Sequence, residues 1–164
     1  MKIMFNRPIK REPWGGGSHF ITALFEHFLK LGHDIVFSLE ENIDVIFMFD
    51  PRPSAGGDCV NSIYRYKLDR PSTKIIQRIN DTDIARPNDK PWRIKLLLEA
   101  NQIVDHTIFI SNWVKNHYIE RGFVREKPNT VIINGANSEW YFPEERLLDG
   151  SNIRLITHHW SDNF

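Results

Sequence analysis

Short uninterrupted apolar runs alternate along this chain with longer segments whose apolar residues recur every three or four positions. The first pattern suits strands buried on both faces, and the second suits amphipathic helices. Lys2–Phe5 reads as a strand. Residues 6–17 form a loop with two prolines and three consecutive glycines, and Ser18 reads as a helix N-cap. Phe20, Ile21, Leu24, Phe25 and Phe28 then make one apolar stripe, closed by Gly32 as a left-handed C-cap. Further strands are expected at 35–39, 44–49, Lys74–Ile79, 107–110, 130–133 and 153–157. Helices are expected at 59–68, with Ile63 and Tyr64 inward, and at 92–104, with Leu96, Leu97 and Ala100 on one face. A last helix is capped by Ser111 or Asn112 and ends near Arg121 and Gly122.

Strand–helix alternation with continuously apolar strands predicts an α/β fold, a doubly wound, mostly parallel Rossmann-like sheet. In such sheets ligands bind beyond the carboxyl ends of the strands. The loops at 6–17, 50–57, 80–91, 111–112 and 134–137 are therefore the ones to examine. They also hold many of the Gly, Asp, Asn and Arg residues.

Composition narrows the class. Of the 164 residues 41% are hydrophobic and 26% charged, which suits a globular core rather than disorder. The 21 basic and 21 acidic residues cancel, which disfavours nucleic acid as a partner. Cys59 is the only cysteine, so no intrachain disulfide forms, and it reads as a packed small hydrophobe. The longest apolar run, 45–49, is too short to cross a bilayer, and the start lacks a signal-peptide layout. These features imply a cytoplasmic protein, with attachment to a membrane surface left open.

Three segments could carry chemistry. Gly15, Gly16 and Gly17, followed by Ser18 and His19, would let a ligand approach the backbone at a helix start, where free N–H groups favour an anion. The spacing matches neither the dinucleotide fingerprint nor a P-loop. A flexible loop is the bland alternative. Arg78, Asn80, Asp81, Asp83 and Arg86 follow a strand, where the carboxylates could take a proton from a hydroxyl or only cap a turn. Asn134 and Gly135 form a turn signal after another strand. The neighbours His158 and His159 would point to opposite faces of a strand, which disfavours a metal there.

In order and spacing these segments resemble the acceptor-side half of family 4 type glycosyltransferases, which have the GT-B fold. The resemblance rests on Lys2–Phe5, Gly15-Gly16-Gly17, and Leu31-Gly32-His33-Asp34-Ile35-Val36. Asp105-His106-Thr107-Ile108-Phe109-Ile110-Ser111 and Val131-Ile132-Ile133-Asn134-Gly135-Ala136-Asn137, with Phe142 and Pro143, continue it. It implies an N-terminal Rossmann-like domain over 1–150 and the start of a second, donor-side domain at 151–164. The chain by itself would then lack turnover. Asp81 or Asp83 would act as the acid/base, where many relatives carry a His. Gly15, Gly16, Gly17, Ser18, His19, Arg78, Asn80, Ser111, Asn134 and Gly135 would contact substrate. The implied partners are a sugar or lipid-linked acceptor and a nucleotide-sugar, the latter a co-substrate held through the second domain. No bound cofactor and no metal are expected, and dimer formation stays open.

Two other classes compete. One is a different Rossmann-like nucleotide-binding enzyme, with Glu40 or Glu41 as the ribose-binding acid after the second strand. The other is a non-catalytic binding module.

Overall fold

The computed structural model describes residues 1–9, 15–53, 57–80, 91–136 and 138. In chain order the described elements are β1 (Lys2–Phe5), α1 (Gly15–Lys30), β2 (Asp34–Val36), β3 (Val45–Met48), α2 (Val60–Asp69), β4 (Lys74–Ile79), α3 (Pro91–Ile103), β5 (His106–Phe109), α4 (Asn112–Glu120) and β6 (Asn129–Val131). The chain divides into two compact units, Met1–Asn134 and Gly135–Phe164. All of these elements belong to the first unit. The six strands form one sheet in the order β2-β1-β3-β4-β5-β6, with every pair parallel.

Alternation along the strands sorts the core into two layers. Ile3, Phe5 and Phe47 face α1, where they meet Ile21 with Phe20, Leu24, Phe25 and Phe28. Met4, Ile46, Met48 and Ile75 face the other way, against Val60 and Ile63 of α2 and Ala100 of α3. Ile79 and Phe109 continue that layer against Val114 and Tyr118 of α4. The sheet is thus covered on both faces, which is why its strands read as unbroken apolar runs. Phe5 is fully buried and lies 5.1–6.2 Å from the rings of Phe28, Phe37, Phe47 and Phe49. Deleting such a side chain costs about 3–5 kcal/mol.

Local signals explain most element ends. After α1 the amide of His33 donates to the Phe28 carbonyl and that of Gly32 to Leu29, with Gly32 at φ +76°. This is the expected left-handed cap. Pro91 opens α3, where its missing N–H costs nothing. Ser111 caps α4, its Oγ accepting from the Val114 amide at 3.1 Å.

Other expectations are corrected. Ser18 is not an N-cap, because α1 begins three residues earlier and the glycines wind into its first turn. Packing of the Ile21 stripe on the sheet outweighs the poor helix propensity of glycine. Ser18 lies buried, and its carbonyl accepts from Thr22 Oγ1. Tyr64 is exposed, and Tyr66 takes the inward place beside Ile63. A residue one step from Ile63 turns about 100° off its face, whereas one three steps on returns to it. The Tyr66 hydroxyl donates to the Glu40 carbonyl and accepts from the Ile43 amide. Strands β2, β3 and β6 are each shorter than the spans expected, β5 lies one residue earlier than expected, and Ile133 is exposed. The strand expected at 153–157 lies outside the described residues.

Asp105 locks the amino end of β5 to β4. Its Oδ2 accepts from the Ile75 amide at 2.8 Å, and Lys67 Nζ lies 3.0 Å away. Burial works to raise the carboxyl pKa, but the Ile75 amide together with Lys67 and Lys74 outweighs it and holds the group below its usual range. Asp105→Asn should therefore cost about 1–2 kcal/mol at neutral pH. A depressed folded pKa means the contribution is complete above the unfolded value, about 3.9, and fades as pH falls through the folded one. Thermal melts of wild type and variant should differ at pH 7 and converge as pH falls below the unfolded value and through the folded one. A gap that stays constant with pH would assign the effect to packing instead.

Candidate functional site

Strand order reverses at β1, which pairs with β2 on one side and β3 on the other. Chain leaving β1 and chain leaving β3 therefore diverge, and it is at the carboxyl ends beside such a point that sheets of this kind form a ligand crevice. Asn6, the residue after β1, is wholly buried there. Its Nδ2 donates to the carbonyls of Asp50 (2.5 Å) and Asp58 (3.1 Å), and its Oδ1 accepts from the Phe49 amide at 2.8 Å. One side chain thus ties the loop after β1 to the loop after β3. Gly57 passes so close that a Cβ there would lie 2.1 Å from the Asn6 carbonyl oxygen, so only glycine fits.

Asp50, also buried, gathers charge at the same place. Its Oδ1 accepts from the Arg52 amide at 3.0 Å and from Arg52 Nε at 2.8 Å, and Arg52 Nη2 binds Oδ2. Arg7 Nη1 approaches Oδ2 at 3.7 Å. Two guanidinium groups thus converge on one carboxylate.

One strand over, Arg78 occupies the penultimate position of β4 and is only 7% exposed. Its Nη2 donates to Asn134 Oδ1 at 3.0 Å, and its guanidinium carbon stands 3.7 Å from the centre of the Phe20 ring. A desolvated contact of this kind is worth about 2 kcal/mol. Phe20 in turn meets Phe49 edge-on at 6.2 Å. The chain of contacts Asn134–Arg78–Phe20–Phe49 runs from the end of β6 to the residue before Asp50. Burial pushes the Arg78 pKa down to about 10. The group is still a cation at neutral pH, and among the described residues no carboxylate pairs with it.

Several of the residues singled out in the sequence meet here. Arg78 and Asn134, 56 positions apart, touch directly. Gly15, Gly16 and Gly17 form the first turn of α1, and a Cβ on Gly16 or Gly17 would meet nothing within 4 Å. Gly16 lies one turn before Phe20 on the same helix face. His19 and Asn80 are exposed, and Ser18 is buried beneath the first turn. The Ser111 oxygen is engaged in the α4 cap. Gly135 is exposed and opens the second unit. Asp81 and Asp83, the candidate acid/base residues, lie outside the described residues, as do Arg86, His158 and His159. Among the described residues no three His, Cys, Asp or Glu side chains gather to hold a metal ion, and no helix is long and apolar enough to cross a membrane.

Asn6 and Asp50 lie in loops that the sequence marked for attention but were not singled out there, and Phe20 of α1 was read only as part of the apolar stripe. Asn6 and Asp50 carry a usable signal, because each is the polar residue that ends an apolar run. Phe20 carries none, since it reads as one more member of the helix stripe.

No family model and no curated protein sequence matches the chain.

The crevice depends on Asn6 presenting both a donor and an acceptor. Asn6→Ala should cost about 2 kcal/mol by leaving buried backbone groups unsatisfied. Asn6→Asp should cost more, because a carboxylate would then face two carbonyl oxygens. Chemical denaturation of both variants gives the order, and an aspartate variant as stable as wild type would contradict this account of the clip.

Proposed function

We propose that residues 1–134 form the acceptor-side half of a nucleotide-sugar-dependent glycosyltransferase, with the crevice at the carboxyl ends of β1, β3 and β4 as the binding site. The observation that carries this reading is the Arg78–Asn134 contact. It joins two segments that the resemblance assigns to substrate, and it does so beside the helix that follows the three glycines. The all-parallel sheet supports the reading too, since it puts the glycine turn, Arg78 and Asn134 at one edge. In this proposal Arg78, Asn134 and the first turn of α1 hold the acceptor. Asp81 or Asp83 then removes the proton from the attacking hydroxyl. The nucleotide-sugar is a co-substrate bound mainly by a donor-side domain, and leaving-group charge is met by side chains and helix dipoles rather than by a bound metal.

A dinucleotide-binding enzyme is the main rival, and one observation weakens it. Glu40, a candidate ribose acid, is held by Lys2 Nζ at 2.7 Å, and the same ammonium donates to the Glu41 carbonyl. Lys2 begins β1, so the Glu40 carboxylate is tied to the amino edge of the sheet. A ribose at the carboxyl edge would need its acid at the other end of the strand.

Two measurements test the proposal. Titration of the protein with NAD and with nucleotide-sugars, followed by amide chemical shifts of Gly16, Gly17 and Asn134, should show perturbation by sugar ligands and none by NAD. The reverse pattern would favour the dinucleotide enzyme. In a protein joined to a donor-binding domain, Asp81→Asn or Asp83→Asn should lower transfer about a hundredfold or more with little change in melting temperature. Unchanged turnover in both variants would remove the carboxylates from the mechanism.

A further inference from the structure

Arg78 is a charged group in a place where charge is expensive. It is more than nine-tenths buried, on a strand face that it shares with the apolar Ile76 and, at the far end, the exposed Lys74. Buried cations in folded proteins normally face a carboxylate, because desolvation must be offset by an opposite charge. Even less buried cations of the described residues face one: Lys67 and Lys74 share Asp105, and Arg7 and Arg52 meet Asp50. Arg78 instead has a neutral amide oxygen on one nitrogen and an aromatic ring against its face. Both partners orient a guanidinium, but neither neutralises it. The ring fixes its plane, and the amide fixes its rotation within that plane. What remains is an oriented fork of N–H donors, the geometry that suits the oxygens of an oxyanion.

The nearby helix end carries the same sign. Phe20 belongs to α1, and the helix presents its first-turn amides, the positive end of its dipole, one turn earlier at Gly16 and Gly17. The space over those glycines is open. At the neighbouring strand ends Arg7 and Arg52 meet Asp50, with Asp58 on the same Asn6 clip, so the described charges there balance. A guanidinium fork near a helix N-terminus offers more N–H donors than a planar carboxylate can accept, and so favours an anion with three outer oxygens.

We propose that the acceptor taken by this site carries a phosphate, and that Arg78, held in orientation by Phe20 and Asn134, binds it. The inference rests on the acceptor-site reading and narrows it from sugars in general to phosphorylated or phospholipid-linked ones. It also explains why the position is an arginine: the counter-charge that the described residues do not supply arrives with the ligand.

The test uses the 164-residue protein, its Arg78→Met and Arg78→Lys variants, and three probes. The probes are inorganic phosphate, a hexose phosphate, and the matching neutral hexose. Wild type should melt at a higher temperature in phosphate than in chloride of equal ionic strength. It should bind the hexose phosphate at least about tenfold more tightly than the hexose. Arg78→Met should lose both effects and, with a desolvated charge removed, melt no lower than wild type in the absence of phosphate. Arg78→Lys keeps the charge but not the fork, and should bind the hexose phosphate several-fold more weakly than wild type. It also serves if the methionine variant fails to fold. Vesicles with and without phosphatidylglycerol separate the two sources. Arg78-dependent retention on the anionic vesicles assigns a lipid phosphate, and binding of the soluble hexose phosphate alone assigns a free one. Equal phosphate binding by wild type and Arg78→Met, or none by wild type, overturns the inference. If the neutral hexose still binds in that case, the acceptor-site reading survives without it. If phosphate binds through Arg78 but the hexose part adds no affinity, it is the acceptor reading that fails.

Discussion

The reversal of strand order at β1 is the constraint on which the rest depends. A parallel sheet that grew in one direction only would send every connection the same way and leave no gap at its edge. Here the chain goes from β1 outward to β2, then returns across β1 to β3. Segments leaving β1 and β3 must part, and buried backbone groups at the parting need partners. Asn6 supplies them from a single side chain, donating to two carbonyls and accepting from an amide. An amide is the natural choice, because it offers donors and acceptor together without the desolvation cost of a charge. The crevice is thus a consequence of topology, and its walls are fixed by hydrogen bonds rather than by apolar packing.

The two edges of the sheet treat polar groups differently. At the amino edge, charges serve to fasten the strands. Asp105 accepts from the Ile75 amide and two lysines stand by it, while Lys2 holds Glu40. Lys127 donates to the Asn101 and Val104 carbonyls at the end of α3, meeting helix acceptors that would otherwise go unpaired. These groups are internally satisfied, and their explanation ends with stability. At the carboxyl edge Asp50 is likewise satisfied, but Arg78 is oriented without being neutralised. A buried charge that the fold positions but does not compensate is where a structural explanation stops and a functional one is needed.

The layer architecture was legible because it depends on a property spread over many residues. An unbroken apolar run such as that at β3 suits burial on both faces, and with the strand–helix alternation it points to the parallel, doubly wound sheet. Gly32 and Ser111 were legible for a local reason, since a positive φ and an orphan amide each demand a particular residue type. The start of α1 was not legible, because three glycines in a row signal a loop and only the packing of Ile21 and Phe28 draws them into a helix turn. Tyr66 was hidden for a similar reason: its inward turn is settled by hydroxyl partners at Glu40 and Ile43, more than twenty residues away. Arg78 and Asn134 were each legible as polar residues in or after a strand. Their meeting was not, because it depends on β4 and β6 flanking β5 in one sheet.

Position 78 gains its meaning from the alternation of β4. Gln77, one residue earlier, faces the opposite layer, where its Nε2 donates to the Leu97 carbonyl of α3. That layer is roofed by two helices over β4, and a guanidinium there would be sealed under Ala100 and Ile63 with no route to a ligand. Ile76 shares the α1 face with Arg78 but sits deeper in the strand, amid the phenylalanines of α1. Ile79 returns to the helix-roofed layer. Of the last four residues of β4, only position 78 is both on the α1 face and near enough to the carboxyl end to reach the crevice. The pleat and the strand's end together select one position from which a cation on this strand reaches the carboxyl edge, and the sequence places an arginine there.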